Sequence, residues 1–260
     1  MLDDWMERSE GPVADLGGGF ALARGAIVAT ALAGTGVKGF ASPFDVDARF
    51  DADAASWAHA LGADAGRRML SLKQMHGTTV VNAGTQANGQ SPEADGAWTS
   101  SPSDLLVVRT ADCAALWLVD PERERFALLH VGWRGAAAGI IRHAVQTLVE
   151  DGSDPGALVA AAGPHIGRCC FEVGLDVAAP FHEIDGAVNA PHILKVRSRT
   201  DTVSLDLGAI IAGQLHEAGL SRIGVHIATA CTRCSDGVLH SYRRNGQGGP
   251  LMGSIGFLET

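Results

Sequence analysis

Three short stretches join a reactive side chain to glycine or other small neighbours: Gln74-Met75-His76-Gly77, Thr110-Ala111-Asp112-Cys113 and His130-Val131-Gly132-Trp133-Arg134-Gly135. Glycine beside a polar residue lets a ligand approach the backbone closely. Loops at strand ends are where a rigid sheet presents function. Taken singly, a histidine is more often a satisfied structural residue, and a cysteine a small buried hydrophobe. Taken together, His76, Cys113 and His130 read as a Cys/His pair or as a three-ligand metal set. Two imidazoles and one thiolate suit Zn2+ and leave a fourth position for water or substrate, whereas a structural zinc wants four protein ligands. The metal would also hold Cys113 as the thiolate. Asp95 and Asp112 are candidates for a proton donor, or for orienting a loop or a ligating histidine.

Arginines supply a second theme. Arg134 stands at a glycine-flanked helix start, and Ser241-Tyr242-Arg243-Arg244-Asn245-Gly246 sets two adjacent arginines beside the only tyrosine of the chain. Arginine forks grip phosphate or carboxylate in bidentate fashion, so Arg134, Tyr242, Arg243 and Arg244 are the candidate substrate-binding residues. The remaining cysteines fall in two pairs, Cys169-Cys170 and Cys231-Thr232-Arg233-Cys234. No second C-x-x-C or histidine pair lies near the latter, and geometry rarely lets a vicinal pair such as Cys169-Cys170 ligate one metal together, so both pairs read as buried or incidental. The ten histidines never come closer than ten residues in sequence. There is therefore no His-x-His and no His-Glu-x-x-His, which speaks against a copper site built from clustered local histidines.

Composition narrows the class. The chain has 260 residues, 46% hydrophobic and 19% charged, which suits a globular protein with a substantial core. A formal net charge of −9 repels phosphate backbones and argues against nucleic-acid binding. Five cysteines, an odd number, and an acidic start at Met1-Leu2-Asp3-Asp4-Trp5 do not resemble a secreted disulfide framework or a signal peptide. Residues 18–37 are rich in Gly and Ala and carry Arg24; they read as two short strands around Arg24-Gly25 and not as a membrane span. A soluble, cytoplasmic protein without a membrane partner is expected.

These residues need elements to position them. Apolar periodicity predicts a helix over 51–65. Strand pieces are expected at 69–72, 78–81, 105–109, 115–119, 126–131, 158–162 and 223–228. A helix is expected over 135–149, with Ala136, Ile140, Ile141, Ala144, Val145 and Leu148 on one face and Gly152 as its stop. Another spans 206–218, capped by Asp206 and ended by Gly219. Strands are often adjacent and helices intermittent, which predicts an α+β fold: one domain over 1–260, with mixed, largely antiparallel sheets flanked by helices.

The order of the three stretches with Ala94-Asp95-Gly96, Gly163-Pro164-His165-Ile166-Gly167-Arg168-Cys169-Cys170-Phe171-Glu172-Val173-Gly174, Leu205-Asp206-Leu207, Cys231-Thr232 and Ser241-Tyr242-Arg243-Arg244 resembles the YfiH-like family, also called the multicopper polyphenol oxidase (laccase) domain family. The resemblance covers roughly residues 70–245. It implies a Zn2+ site at His76, Cys113 and His130. It also implies purine nucleoside phosphorylase activity on adenosine, inosine or methylthioadenosine with phosphate, and adenosine deamination besides. Three alternatives accompany it: a cysteine or zinc hydrolase editing a peptidoglycan precursor, a copper-dependent polyphenol oxidase, and a zinc-binding protein without catalysis. The chain departs from the family pattern in its N-terminal stretch, nearest at Phe20-Ala21-Leu22-Ala23-Arg24-Gly25-Ala26, in the Asn-Leu and Asn-Arg segments that usually follow, and at Gly248-Gly249-Pro250.

Overall fold

The computed structural model describes residues 68–181, 201–235 and 239–246, and of the remainder only short strands. The helix expected over 51–65 lies outside the described residues, as does Gly248-Gly249-Pro250. In chain order the strands are β1 (Ala14–Asp15), β2 (Phe20–Ala23), β3 (Ala26–Ala29), β4 (Val37–Ala41), β5 (Arg68–Ser71), β6 (Val80–Asn82), β7 (Gly96–Thr99) and β8 (Asp104–Thr110). They continue with β9 (Ala114–Asp120), β10 (Arg125–Val131), β11 (Val159–Ala162), β12 (Glu172–Gly174), β13 (Ile193–Leu194), β14 (Thr202–Leu205), β15 (Val225–Ile227) and β16 (Leu251–Phe257). Among the described residues they form a seven-stranded sheet in the order β1-β2-β3-β4-β16-β8-β5, a six-stranded sheet in the order β15-β11-β9-β10-β7-β6, and a small sheet β12-β14-β13. Most pairings are antiparallel; β5 with β8, β6 with β7 and β11 with β15 are parallel. The α+β class with mixed sheets follows, and β2 and β3 are the two strands expected around Arg24-Gly25.

The central strands show why the layers stack as they do. All seven residues of β9 are buried, and alternate side chains serve two different cores. Leu116 and Leu118, with Ala127 and Leu129 of β10, face a core shared with the helices. Ala115, Trp117 and Val119, with Phe126 and Leu128, face a second core that includes Leu70, Leu106 and Val108 of the other large sheet. The six-stranded sheet is thus the middle layer, so it lacks the polar face that a half-exposed antiparallel sheet would show. Burial of side chains such as Phe126 and Leu128 contributes about 1.5–3 kcal/mol each.

The helix expected over 135–149 is two helices. Helix α1 (Trp133–Ala138) ends at Gly139, whose φ of 89° is left-handed, and α2 (Ile140–Glu150) starts there. The predicted apolar face survives the break: Ala136, Ile140, Ile141, Ala144, Val145 and Leu148 are all buried. Helix α3 (Leu207–Glu217) is capped as expected, Asp206 accepting from the Ala209 amide at 3.0 Å. Among the described residues, no helix is long and apolar enough to cross a membrane.

Candidate functional site

His76 lies in the loop between β5 and β6, Cys113 in the tight connection from β8 to β9, and His130 near the end of β10. The ladder places His130 opposite Ala115, two residues beyond Cys113. The ligand atoms of His76, Cys113 and His130 all lie within 4.8 Å of one another. The two imidazole rings meet edge to face with centroids 4.7 Å apart. His130 is buried, Cys113 half-buried and His76 exposed, so the cluster opens to solvent on its His76 side.

Asp95, just before β7, organises this cluster. Its Oδ1 accepts from the His76 amide at 2.9 Å and pairs with His130 Nδ1 at 2.8 Å. Its Oδ2 accepts from the amides of Met75 at 3.0 Å and Gly77 at 2.7 Å. The His130 amide donates to the Asp95 carbonyl as well. A carboxylate at Nδ1, the usual partner of a ligating histidine, fixes the ring proton there and leaves the Nε2 lone pair for a metal. Burial pushes the Asp95 carboxyl up, but His130 and these amides hold it below its ordinary value. The same competition acts on the neighbours. Burial raises the Cys113 thiol, yet His130 and His76 bring it down to about 7. Burial lowers His130, yet Asp95 and Cys113 raise it to about 9.

The loops are held in costly backbone conformations. His76 has φ 60° and Asp112 φ 76°, both left-handed without being glycine. The Gln74 side chain fixes the first loop by exchanging two hydrogen bonds with the Arg109 backbone, at 2.7 and 2.8 Å. Asp112 fixes the second: Oδ1 accepts from Thr232 Oγ1 at 2.6 Å and Oδ2 from the Arg243 amide at 2.7 Å. Gly132 is required by space, because a Cβ there would lie 2.7 Å from Cys113 Sγ.

The candidate arginines divide. Arg134 is exposed and its guanidinium lies 4.5 Å from the Trp133 ring centroid. Arg243 is exposed on the short helix α4 (Tyr242–Asn245), docked by its amide to Asp112, while its side chain donates to the Glu172 carbonyl. Tyr242 is 63% exposed beside it. Arg244 turns inward, donating to the carbonyls of Thr232, Arg233 and Leu239. That guanidinium ties α4 to its surroundings and presents no open fork to an anion.

Two features escaped the sequence reading. Thr232, fully buried, carries no charge to betray its bond to an aspartate 120 residues away. The cysteine pairs set aside as incidental meet in space, with the sulfurs of Cys169, Cys170, Cys231 and Cys234 within 4.8 Å of one another; only the C-x-x-C spacing hinted at it.

Residues 40–258 match the family described as multi-copper polyphenol oxidoreductase laccase. A purine nucleoside phosphorylase of Deinococcus radiodurans is 37% identical over 187 residues, covering 71% of this chain and 68% of that protein. One of Streptomyces coelicolor is 32% identical over 202 residues, covering 76% and 78%. The crystal structure of the hypothetical protein YfiH of Bacillus licheniformis superposes with a TM-score of 0.82 at 23% identity, over 92% of this chain and 99% of the other.

Proposed function

The chain belongs to the multi-copper polyphenol oxidoreductase laccase family, the YfiH family, and from that premise we propose that it is a zinc-dependent purine nucleoside phosphorylase of the cytoplasm. The observation that carries the reading is the meeting of His76, Cys113 and His130 around one point open to solvent, in a chain similar to proteins named purine nucleoside phosphorylase. The donor set fits the metal: two imidazoles and a thiol already drawn toward thiolate, with one coordination position left over. A zinc ion held there would supply Lewis acidity at that open position.

The reaction breaks the bond between C1′ of the ribose and N9 of the purine, and forms one from C1′ to a phosphate oxygen. The base leaves with the electron pair and takes up a proton. Asp95 keeps the ring proton of His130 on Nδ1, so that Nε2 faces the metal position. Arg243 and Arg134, both exposed, are assigned to hold phosphate, with Tyr242 flanking the nucleoside. Arg244 is a positioning residue, which sets α4 and with it Arg243. Adenosine, inosine and methylthioadenosine are the proposed substrates, and adenosine deamination draws on the same open position.

The test is phosphate-dependent release of hypoxanthine from inosine by the zinc-loaded protein, with ribose 1-phosphate appearing in equal amount. Cys113→Ala should abolish turnover and the zinc held between His76, Cys113 and His130. Zinc-loaded protein inert toward all three nucleosides overturns the reading. One observation favours a second reading, a cysteine hydrolase acting on a peptidoglycan precursor: Cys113 and His130 have the character of a thiolate–imidazolium pair. Rapid alkylation of Cys113 in protein free of metal, with hydrolysis retained on removing zinc, would select it.

A further inference from the structure

Strands β11 and β15 are parallel neighbours, so the loops that follow them leave the sheet at the same end. These loops run side by side, joined by the bridge between His165 and Cys231 and by the Thr232 amide donating to the His165 carbonyl. One contributes Cys169 and Cys170, the other Cys231 and Cys234. Cys234 Sγ lies 3.3 Å from Cys170 Sγ and 3.5 Å from Cys169 Sγ, and all four sulfurs are free thiols. We propose that these four cysteines form a second metal site, a structural one for a single zinc ion, distinct from the His76–Cys113–His130 set.

The geometry is that of one tetrahedral ion. Zn–S bonds of about 2.3 Å give sulfur–sulfur edges of about 3.8 Å; two edges here, at 3.3 and 3.5 Å, are slightly shorter, and no pair lies beyond 4.8 Å. Sulfurs this close enclose an ion and not a larger inorganic cluster. Backbone donors are in place for thiolate. The Gly167 amide donates to Cys231 Sγ at 3.2 Å, and the amides of Arg233 and Cys234 point to the same sulfur. Binding forms four Zn–S bonds, and each thiol gives its proton to solvent. No atom is oxidised or reduced.

The site has a job in this fold. The Ile166 amide donates to the Asp112 carbonyl, and Thr232 Oγ1 to the Asp112 side chain. Both cysteine-bearing loops therefore grip the residue next to Cys113. A zinc that cross-links them fixes the Cys113 loop and, through Arg244, helix α4.

The experiment is metal analysis of the full chain with the first site dismantled. His76→Ala/Cys113→Ser should retain one zinc per chain after gel filtration. After exchange to cobalt it should show intense thiolate-to-cobalt charge transfer and the visible bands of a tetrahedral site. Adding Cys169→Ser and Cys234→Ser should remove the metal and lower the melting temperature. If that last variant does not fold, the cobalt spectrum decides alone, since no thiolate remains in the first site and thiolate-to-cobalt charge transfer can come only from the four cysteines. A His76→Ala/Cys113→Ser protein that is folded, fully reduced and free of metal in zinc-containing buffer overturns the proposal. So does a mass showing disulfides among the four in freshly purified protein. Neither result depends on nucleoside turnover.

Discussion

Replacing Asp95 with asparagine changes one oxygen into an amide nitrogen at the centre of the His76–Cys113–His130 cluster. Asp95 is 1% exposed and accepts four hydrogen bonds, two on each oxygen. If the new nitrogen takes the Oδ2 position, the Met75 and Gly77 amides both lose their acceptor. If it takes the Oδ1 position, the His76 amide is orphaned, and His130 Nδ1 must accept instead of donate. Its proton then moves to Nε2, the atom needed for a metal. An orphaned buried donor costs about 1–3 kcal/mol, so the first orientation costs about 2–6 kcal/mol. The second costs less stability, but it disables a ligand outright. The protein cannot avoid both, so Asp95→Asn should lower the melting temperature by about 4 °C or more, weaken zinc about 10–100-fold, or do both. Thermal unfolding of the zinc-free protein and competition with a chelator measure the two effects separately. A variant that keeps the parent melting temperature and the parent zinc affinity would refute Asp95 as the organising residue.

Other consequences are as direct. Gly132→Ala places a Cβ 2.7 Å from Cys113 Sγ and 3.3 Å from His76 Cδ2; its φ of −97° accepts alanine, so zinc affinity should drop about 10–100-fold while circular dichroism stays unchanged. Arg68 grips Asp104 with two side-chain hydrogen bonds of 2.9 Å and also caps the carbonyls of Ala83 and Gln86; Arg68→Ala leaves a carboxylate that is 2% exposed and should cost about 3 kcal/mol in urea unfolding. His165 is fully buried, and desolvation holds it below its ordinary value against the Gly163 carbonyl and Asp206. The unfolded chain then takes up a proton that the native one refuses. This contribution to stability is complete above about pH 6.5 and is lost as pH falls below it. The difference in unfolding free energy between the parent and His165→Gln should therefore shrink on going from pH 7.5 to 5.5; an unchanged difference contradicts the assignment.

What was readable in the sequence is what local spacing encodes. His76, Cys113 and His130 stood out because each is flanked by glycine or small residues near a strand; Cys113 and His130 lie at strand ends, and His76 lies in the loop between β5 and β6. The apolar stripe of α2 and the Asp206 cap were legible because both are settled within a few residues. Gly139 was not read as a break, because an apolar stripe continues through it and only its left-handed φ separates the two helices. Nothing local says that β5, β8 and β16 share one sheet while β9 and β10 form another, since β5 meets β8 across tens of residues and β8 meets β16 across more than a hundred. The inward turn of Arg244 depends on carbonyls of a loop about ten residues earlier, and the meeting of the cysteines on partners more than sixty residues apart. Contacts at such separations are set by packing and not by propensity.

The left-handed backbone of His76 puts durability and activity in opposition. A histidine at φ 60° costs of order 1–3 kcal/mol that a glycine would not. Under selection for heat resistance alone, in medium stripped of metal, His76→Gly should therefore be enriched, yielding a hardier chain with nothing left to do. A directed-evolution campaign on this scaffold would need to score metal uptake alongside survival, or its winners would be well-folded relics.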